Sequence, residues 1–493
     1  MAIEASLLKL FGALEESGIR YSLLRGFEEL AQVEPVKEID LLVAPSQRAE
    51  FSRIAARCGF MEAPRWGYEP HYFYVAYDRE AAAWLKLDVV AELAYGKLLR
   101  WLPVDLAEQC LARRQQAKLA ESLTSTDKSG EDRQAEIANG KSSIENHQSS
   151  IANLRFTYVL SPADEFTTLF LHCLLDKGMF RDARRERLLA LKNRAEKERE
   201  IKETILKNFQ PYLPAGVSWQ TIGEIIQETD RKALTKHRKA FSGRLFRRHP
   251  LGSLARNLRT RLMRRLRTPL FMMRRRGLWI ALLAPDGAGK TTLAHSLLKE
   301  QFLRARLIYM GTNLDSSTVG FPTSKWLKKR IKMLESKKSP LNKLLLKALK
   351  MANYLNRLLE QWYRVGAGIY YKWSGRTVVF DRFIYDAYLA APARTAGQKL
   401  RRWLIRSACP PADVTYLLDA PGEMLFRRKG EHSPEILEKQ RQTFLSLRDK
   451  IPNMVIVDAT RSADQVRSDI LSDIWKIYRL RVSRNGTHES ESD

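Results

Sequence analysis

Residues 278–283 constrain this chain more than any other stretch. Six consecutive apolar residues run directly into Ala284-Pro285-Asp286-Gly287-Ala288-Gly289-Lys290-Thr291-Thr292. A fully apolar run of that length suits a central strand of a parallel sheet, which is covered on both faces. The small residues after it let the backbone curl so that its N–H groups point inward. Leu293, Leu297 and Leu298 then begin a helical period, and a helix N-terminus brings partial positive charge to the same place. Strand, turn and helix together predict a cradle for phosphate groups. Lys290 is expected to reach the β- and γ-phosphates, and the Thr291 hydroxyl to ligate Mg²⁺.

Three later apolar runs, at residues 377–380, 414–418 and 454–457, are separated by helical stretches. That alternation predicts an α/β domain with a doubly wound parallel sheet. The loop departs from the general P-loop pattern in having Ala284 where a glycine usually stands, a change that removes no phosphate donor. From Pro285 to Thr292 it resembles the P-loop of thymidylate kinases. Val378-Val379-Phe380-Asp381-Arg382-Phe383 resembles their Asp-Arg-aromatic motif at the end of a core strand. The resemblance implies an ATP-binding domain over 277–480, with Asp286 to Thr292 holding the nucleotide. Asp381 would orient the acceptor or the Mg²⁺ waters, and Arg382 would hold the acceptor's phosphate. Phe426-Arg427-Arg428-Lys429-Gly430-Glu431 resembles the family's basic lid, in which Arg427 and Arg428 would close on the transferring group. The turn at Val457-Asp458-Ala459-Thr460 would lie near the adenine. On the acceptor side the family's Arg-Glu-Pro motif is missing after Leu307-Ile308-Tyr309-Met310, where Gly311-Thr312-Asn313 and a basic stretch stand instead. The acceptor therefore stays open.

Residues 1–118 read as a second α/β unit, with a helical period at Leu7, Leu8, Phe11 and Leu14 and four short strand-like runs. Leu24-Arg25-Gly26, followed by Glu38-Ile39-Asp40-Leu41, resembles nucleotidyltransferase-like domains. Alternation along a strand puts Glu38 and Asp40 on one face, and Asp88 is placed to be a third acid. The resemblance implies Mg²⁺ bound by Glu38, Asp40 and Asp88. Departures are Gly26-Phe27, where the family has Gly-Ser or Gly-Gly, and Glu38, where it has Asp. A degenerate copy of the fold is the alternative.

Residues 119–153 are rich in Ser, Gly, Asn, Gln, Lys and Glu and are expected to form a flexible insert. Ser161-Pro162-Ala163-Asp164-Glu165 predicts a capped helix start, with helices to about 235. His172 falls on an apolar helix face, as a core residue does. The net charge of +28 is concentrated: residues 231–276 hold seventeen Lys or Arg and no acid, and residues 325–350 hold ten against the single Glu335. Leu254, Leu258, Leu262, Leu266 and Leu270 recur every fourth residue among those arginines. The basic linker 236–276 is thus expected to be an amphipathic helix. It either meets an anionic membrane through residues 244–276 or packs its leucines on a neighbouring domain. No aromatic residues interleave with the arginines, so no sequence-specific nucleic acid is expected. A tail at 481–493 is expected to be disordered.

Four scattered cysteines, Cys58, Cys110, Cys173 and Cys409, form no metal or disulfide framework. No long apolar segment and no basic leader precede the first helix, so a cytoplasmic protein, peripheral at most, is expected. Three functions are compatible with these features. One is an Mg-ATP-dependent phosphotransferase acting on a phosphate- or hydroxyl-bearing small molecule. Another is a nucleotidyltransferase using the N-terminal acids. The third is a non-catalytic ATP-binding scaffold at a membrane.

Overall fold

The computed structural model describes residues 2–25, 38–63, 68–79, 81–97, 99–118, 156–274, 277–300, 302–311, 321–335, 340–385, 399–400, 403–404, 409–430 and 432–486. The expected flexible insert, the Gly26-Phe27 turn and the far end of the tail lie outside them. The chain divides into two compact units, Met1–Arg267 and Thr268–Asp493.

The first unit is built on a seven-stranded sheet of order β3-β4-β5-β2-β1-β9-β8. Its strands are β1 (Tyr21–Arg25), β2 (Glu38–Val43), β3 (Met61–Glu62), β4 (His71–Asp78), β5 (Ala83–Val90), β8 (Gln115–Lys118) and β9 (Phe156–Val159). A small ribbon pairs β6 (Leu93–Tyr95) with β7 (Leu102–Val104). The period of two along β2 and β5 sorts their residues onto opposite faces. Ile39, Leu41, Val43, Leu87 and Val89 bury themselves with Leu7, Leu10, Phe11 and Leu14 of α1 (Ala2–Glu16) and Phe51 and Ile54 of α2 (Arg48–Arg57). Glu38, Asp40 and Asp88 are thereby left to the other face.

A helical layer packs on the rest. It comprises α3 (Ala107–Ala112), α4 (Pro162–Leu171), α5 (Asp182–Lys197), α6 (Arg199–Phe209), α7 (Trp219–Gln227) and α8 (Arg231–Arg248). As the sequence predicts, Ser161 caps α4, its Oγ accepting from the Asp164 amide at 3.2 Å. The chain enters this layer later than expected, because residues 156–159 first return to the sheet as β9, parallel to β1. α4 continues into a π-helical turn at His172–Lys177. α8 buries Leu234, Phe241 and Leu245 in the helical core. Residues 236–248 are therefore packed structure rather than a connector. α9 (Pro250–Arg274) follows.

The second unit carries a five-stranded, all-parallel sheet of order β11-β12-β10-β13-β14. These are β10 (Trp279–Leu283), β11 (Arg306–Tyr309), β12 (Val378–Asp381), β13 (Val414–Asp419) and β14 (Met454–Asp458). Every apolar run singled out in this half is a strand, and β10 is central and fully buried. Helices connect them: α10 (Lys290–Lys299), α11 (Pro322–Glu335), α12 (Pro340–Trp373), α13 (Gly422–Lys429), α14 (Pro434–Leu445) and α15 (Ala463–Gly486). Gly368 lets α12 approach the sheet, since a Cβ there would lie 3.1 Å from Trp279 and 3.2 Å from Phe380. The Trp279 indole donates to the Gly368 carbonyl at 3.0 Å. The tail expected from residue 481 is instead the last turns of α15, which reaches Gly486.

Candidate functional site

β10 ends at Leu283, and the chain turns through Gly287 (φ 90°) and Gly289 (φ 87°) before α10 opens at Lys290. Both glycines hold backbone conformations that a Cβ disfavours. Gly287 also backs onto α13, where a Cβ would come within 2.5 Å of the Leu425 carbonyl oxygen. The loop is thus seated directly on the helix that carries the basic residues.

Lys290 is buried, with Nζ donating to the carbonyls of Ala284 (2.5 Å) and Pro285 (2.9 Å) at the inner edge of the turn. β12 runs beside β10 with Asp381 opposite Leu282, which carries the strand end to the loop. There the Thr291 hydroxyl donates to Asp381 Oδ2 at 3.2 Å. Arg382, at φ 62°, turns its guanidinium to Asp286 Oδ1 at 3.0 Å. Asp286 also lies 3.9 Å from Lys290 Nζ and 3.8 Å from His432 Nε2. The parallel sheet therefore gathers Asp286, Lys290, Thr291, Asp381 and Arg382 at the carboxyl ends of two adjacent strands. That is where open α/β sheets bind ligands.

The basic residues of α13 are arranged differently from the expected lid. Arg428 donates to the Ala459 carbonyl at 2.9 Å, in the turn after β14. Arg427 is 82% exposed and lies 3.8 Å from Glu423 on its own helix. Through these contacts Arg428 borders the turn after β14 and Arg427 stays on its own helix. Ala288 is buried, and Thr292 is exposed at the start of α10.

Three features escaped the sequence reading. His432 reaches Asp286 from the loop after α13, and a single histidine in a polar loop carries no signal of that. Arg441 forks onto Asp419 at 2.6 and 3.0 Å, fastening α14 to the end of β13. Glu360 and Arg364 form a fully buried ion pair at 2.9 Å, with Arg364 also donating to the Gly311 carbonyl at 3.1 Å. A Glu and an Arg one helical turn apart on the apolar side of α12 were the available clue.

In the first unit, the ligand oxygens of Glu38, Asp40 and Asp88 lie within 4.8 Å of one another. The parallel register of β2 and β5 sets Asp40 directly beside Asp88. Each acid already has a nitrogen partner. Arg25 is 2.7 Å from Asp40, Lys86 is 2.5 Å from Glu38, and His71 is 2.5 Å from Asp88. Burial opposes ionisation of Asp88, but the His71 hydrogen bond and charge, helped by Arg100 and Lys86, outweigh it and hold the carboxyl below its ordinary range. An adjoining cleft is lined by Arg25, His71, Tyr95, Leu169, His172 and Asp176, among others. His172 is buried with partners on both ring nitrogens, Asp176 at 3.1 Å and Arg184 at 3.1 Å. Desolvation and the charge of Arg25 push its pKa down to about 4 despite Asp176. Among the described residues, no helix is long and apolar enough to cross a membrane.

Residues 285–470 match the thymidylate kinase family model, which leaves the first unit outside the match. A probable thymidylate kinase of Pyrococcus horikoshii is 32% identical over 109 residues, covering 20% of this chain and 52% of that protein. One from Pyrococcus abyssi is 33% identical over 109 residues, and one from Thermococcus onnurineus 32% over 110, each with the same coverage. The chain spans about half the length of the curated relatives it matches.

Proposed function

We propose that the second unit is an Mg-ATP-dependent phosphotransferase of the nucleoside monophosphate kinase type. The observation that carries this reading is the contact between Thr291 and Asp381, made beside Lys290 and Arg382. It joins a phosphate cradle to a carboxylate and a guanidinium across two strands. The donor set fits the group: a hydroxyl and a carboxylate are hard oxygen ligands of the kind Mg²⁺ takes. Bound Mg²⁺ would neutralise charge on the phosphates, with Thr291 and Asp381 holding it directly or through water. The loop amides from Gly287 to Lys290 grip the phosphate tail. Lys290 exchanges its two carbonyl partners for phosphate oxygens, and Arg382 releases Asp286 to hold the acceptor. Positioning and charge neutralisation are most of what phosphoryl transfer asks of a protein.

The test is ATP turnover by the full chain across nucleoside monophosphates and hydroxyl acceptors, compared with Lys290→Ala. Loss of at least about 100-fold in the variant is expected from removing a cation beside the transferring group. Wild type that turns over no faster than the variant with any acceptor removes the reading.

A second activity is favoured by the convergence of Glu38, Asp40 and Asp88. We infer a nucleotidyltransferase role in which these acids exchange Arg25, Lys86 and His71 for divalent metal. Pyrophosphate release that persists in Lys290→Ala and disappears in Asp40→Asn supports it. Equal release by wild type and Asp40→Asn rules it out. The membrane role expected of residues 244–276 depends on neither activity.

A further inference from the structure

α9 is oriented the wrong way round for a helix that only has to be soluble. Such a helix buries its apolar stripe and shows its charges to water. Here the inward face is polar: Ser253 and Thr260 are buried, and Arg256 forks onto Glu92. Arg259 pairs with Glu69 at 2.9 Å, and Arg267 donates to the Tyr68 hydroxyl at 2.7 Å. Arginines thus strap the helix to the first unit, and its leucines are turned outward. Leu251, Leu254, Leu258, Leu262 and Leu266 are 40% to 81% exposed. At 100° per residue the five fall within one face spanning about a third of the helix circumference. Arg261 borders that stripe and Arg265 stands within it; both are exposed and make no ion pair among the described residues.

We propose that this face docks α9 on an anionic lipid surface, the leucines entering between acyl chains while Arg261 and Arg265 meet phosphate headgroups. Charge complementarity selects this occupant. A second copy of the chain would press the same arginines against their own kind. Nucleic acid would leave the leucines with nothing to bury against. Along the chain the charge keeps the same sign, since residues 231–276 contain no acid and Arg244 and Arg247 of α8 are also exposed. An amphipathic helix with an apolar stripe bordered by arginine binds membranes in the plane of the interface, by apolar burial and headgroup attraction together. The straps to Glu92 and Glu69 hold the stripe outward before any membrane is met, so docking does not have to expose it first.

The test is co-sedimentation of the full chain with vesicles of one part phosphatidylserine to three parts phosphatidylcholine, and with phosphatidylcholine alone. Wild type is expected to pellet with the first and stay in solution with the second. The pair Leu258→Gln and Leu262→Gln is expected to weaken binding at least about tenfold without changing the unfolding midpoint. Arg261→Ser with Arg265→Ser is expected to remove the preference for phosphatidylserine. A control pair on another exposed apolar helix, Leu355→Gln with Leu359→Gln, is expected to bind as wild type does. The proposal is overturned by wild type that stays in solution with the anionic vesicles, or by a Leu258/Leu262 variant that pellets equally well. It is also overturned if the Leu355/Leu359 variant alone loses binding, or if the stripe proves to hold two copies of the chain together in size-exclusion chromatography without lipid.

Discussion

Arg382 Nη2 stands 3.0 Å from Asp286 Oδ1, and this ion pair, beside the Thr291–Asp381 hydrogen bond, ties the end of β12 to the loop that follows β10. The pair is formed by a residue at φ 62°, a left-handed conformation that costs a side-chain-bearing residue on the order of 1–2 kcal/mol. Such a position persists where the surrounding structure over-determines it, and strain of this kind clusters at sites that do work on a ligand.

Arg382→Gly separates the two roles. Glycine relieves the backbone strain, and the lost ion pair is partly exposed and so contributes at most about 1 kcal/mol. The unfolding free energy should stay within about 1 kcal/mol of wild type, while turnover with a monophosphate acceptor falls at least about 100-fold. Urea titration and steady-state kinetics on the same preparation check this. A variant that is active, or one that unfolds far more easily, contradicts the assignment.

The two loop glycines should respond unequally to alanine. At Gly289 a Cβ meets nothing within 4 Å, so Gly289→Ala carries the conformational cost alone, about 1 kcal/mol. At Gly287 the same φ cost is joined by a 2.5 Å approach to the Leu425 carbonyl, which is backbone and cannot swing aside. Gly287→Ala should therefore lose about 2 kcal/mol or more beyond Gly289→Ala, read as unfolding midpoints of the second unit. Equal losses would mean that the loop does not rest on α13.

How much of this was legible follows from what each element is made of. β10, β12 and β13 were readable because strands buried on both faces must be apolar throughout, and the edge strand β14 showed only as an apolar run, its Val455 and Ile456 being partly exposed. Glu38, Asp40 and Asp88 could be placed on one face because a period of two leaves no choice once Ile39 and Leu41 are buried. The partners of those acids were invisible, because Arg25 meets Asp40 through the β1–β2 pairing and His71 meets Asp88 through the β4–β5 pairing, which the sequence does not state. The contact of Arg428 was out of reach for a related reason: three cations in a row show a lid or a surface equally well, and the hydrogen bond to the Ala459 carbonyl depends on the turn after β14. The orientation of α9 was the least accessible, since a leucine repeat states that a face exists but not which way it looks.

Thr291 separates metal positioning from nucleotide binding. Valine keeps the shape of threonine and removes the hydroxyl that now donates to Asp381. Metal-free ATP binding, held by loop amides and Lys290, should change by less than about threefold in Thr291→Val. Mg²⁺-dependent turnover should fall about 100-fold, with Thr291→Ser keeping most of it. Isothermal titration with and without Mg²⁺ distinguishes the two effects. If Thr291→Val loses metal-free binding as well, the hydroxyl supports the loop rather than the ion.

His172 makes the stability of the first unit depend on pH in a definite direction. Its folded pKa is pushed down to about 4, by desolvation first and the charge of Arg25 second, from an ordinary value of 6.5. Between those two values the unfolded chain takes up a proton that the folded chain refuses, so stability falls as the pH drops through that window and is regained as it rises. From pH 7 to pH 5 this single group should cost about 2 kcal/mol. His172→Asn should be less stable at pH 7 by about 1 kcal/mol, through its lost contacts with Asp176 and Arg184, yet show a shallower decline on acidification. Hydrogen exchange of the core amides of β2 and β5 at the two pH values isolates this unit from the other. A variant whose decline parallels that of wild type would mean that His172 does not stay neutral in the folded protein.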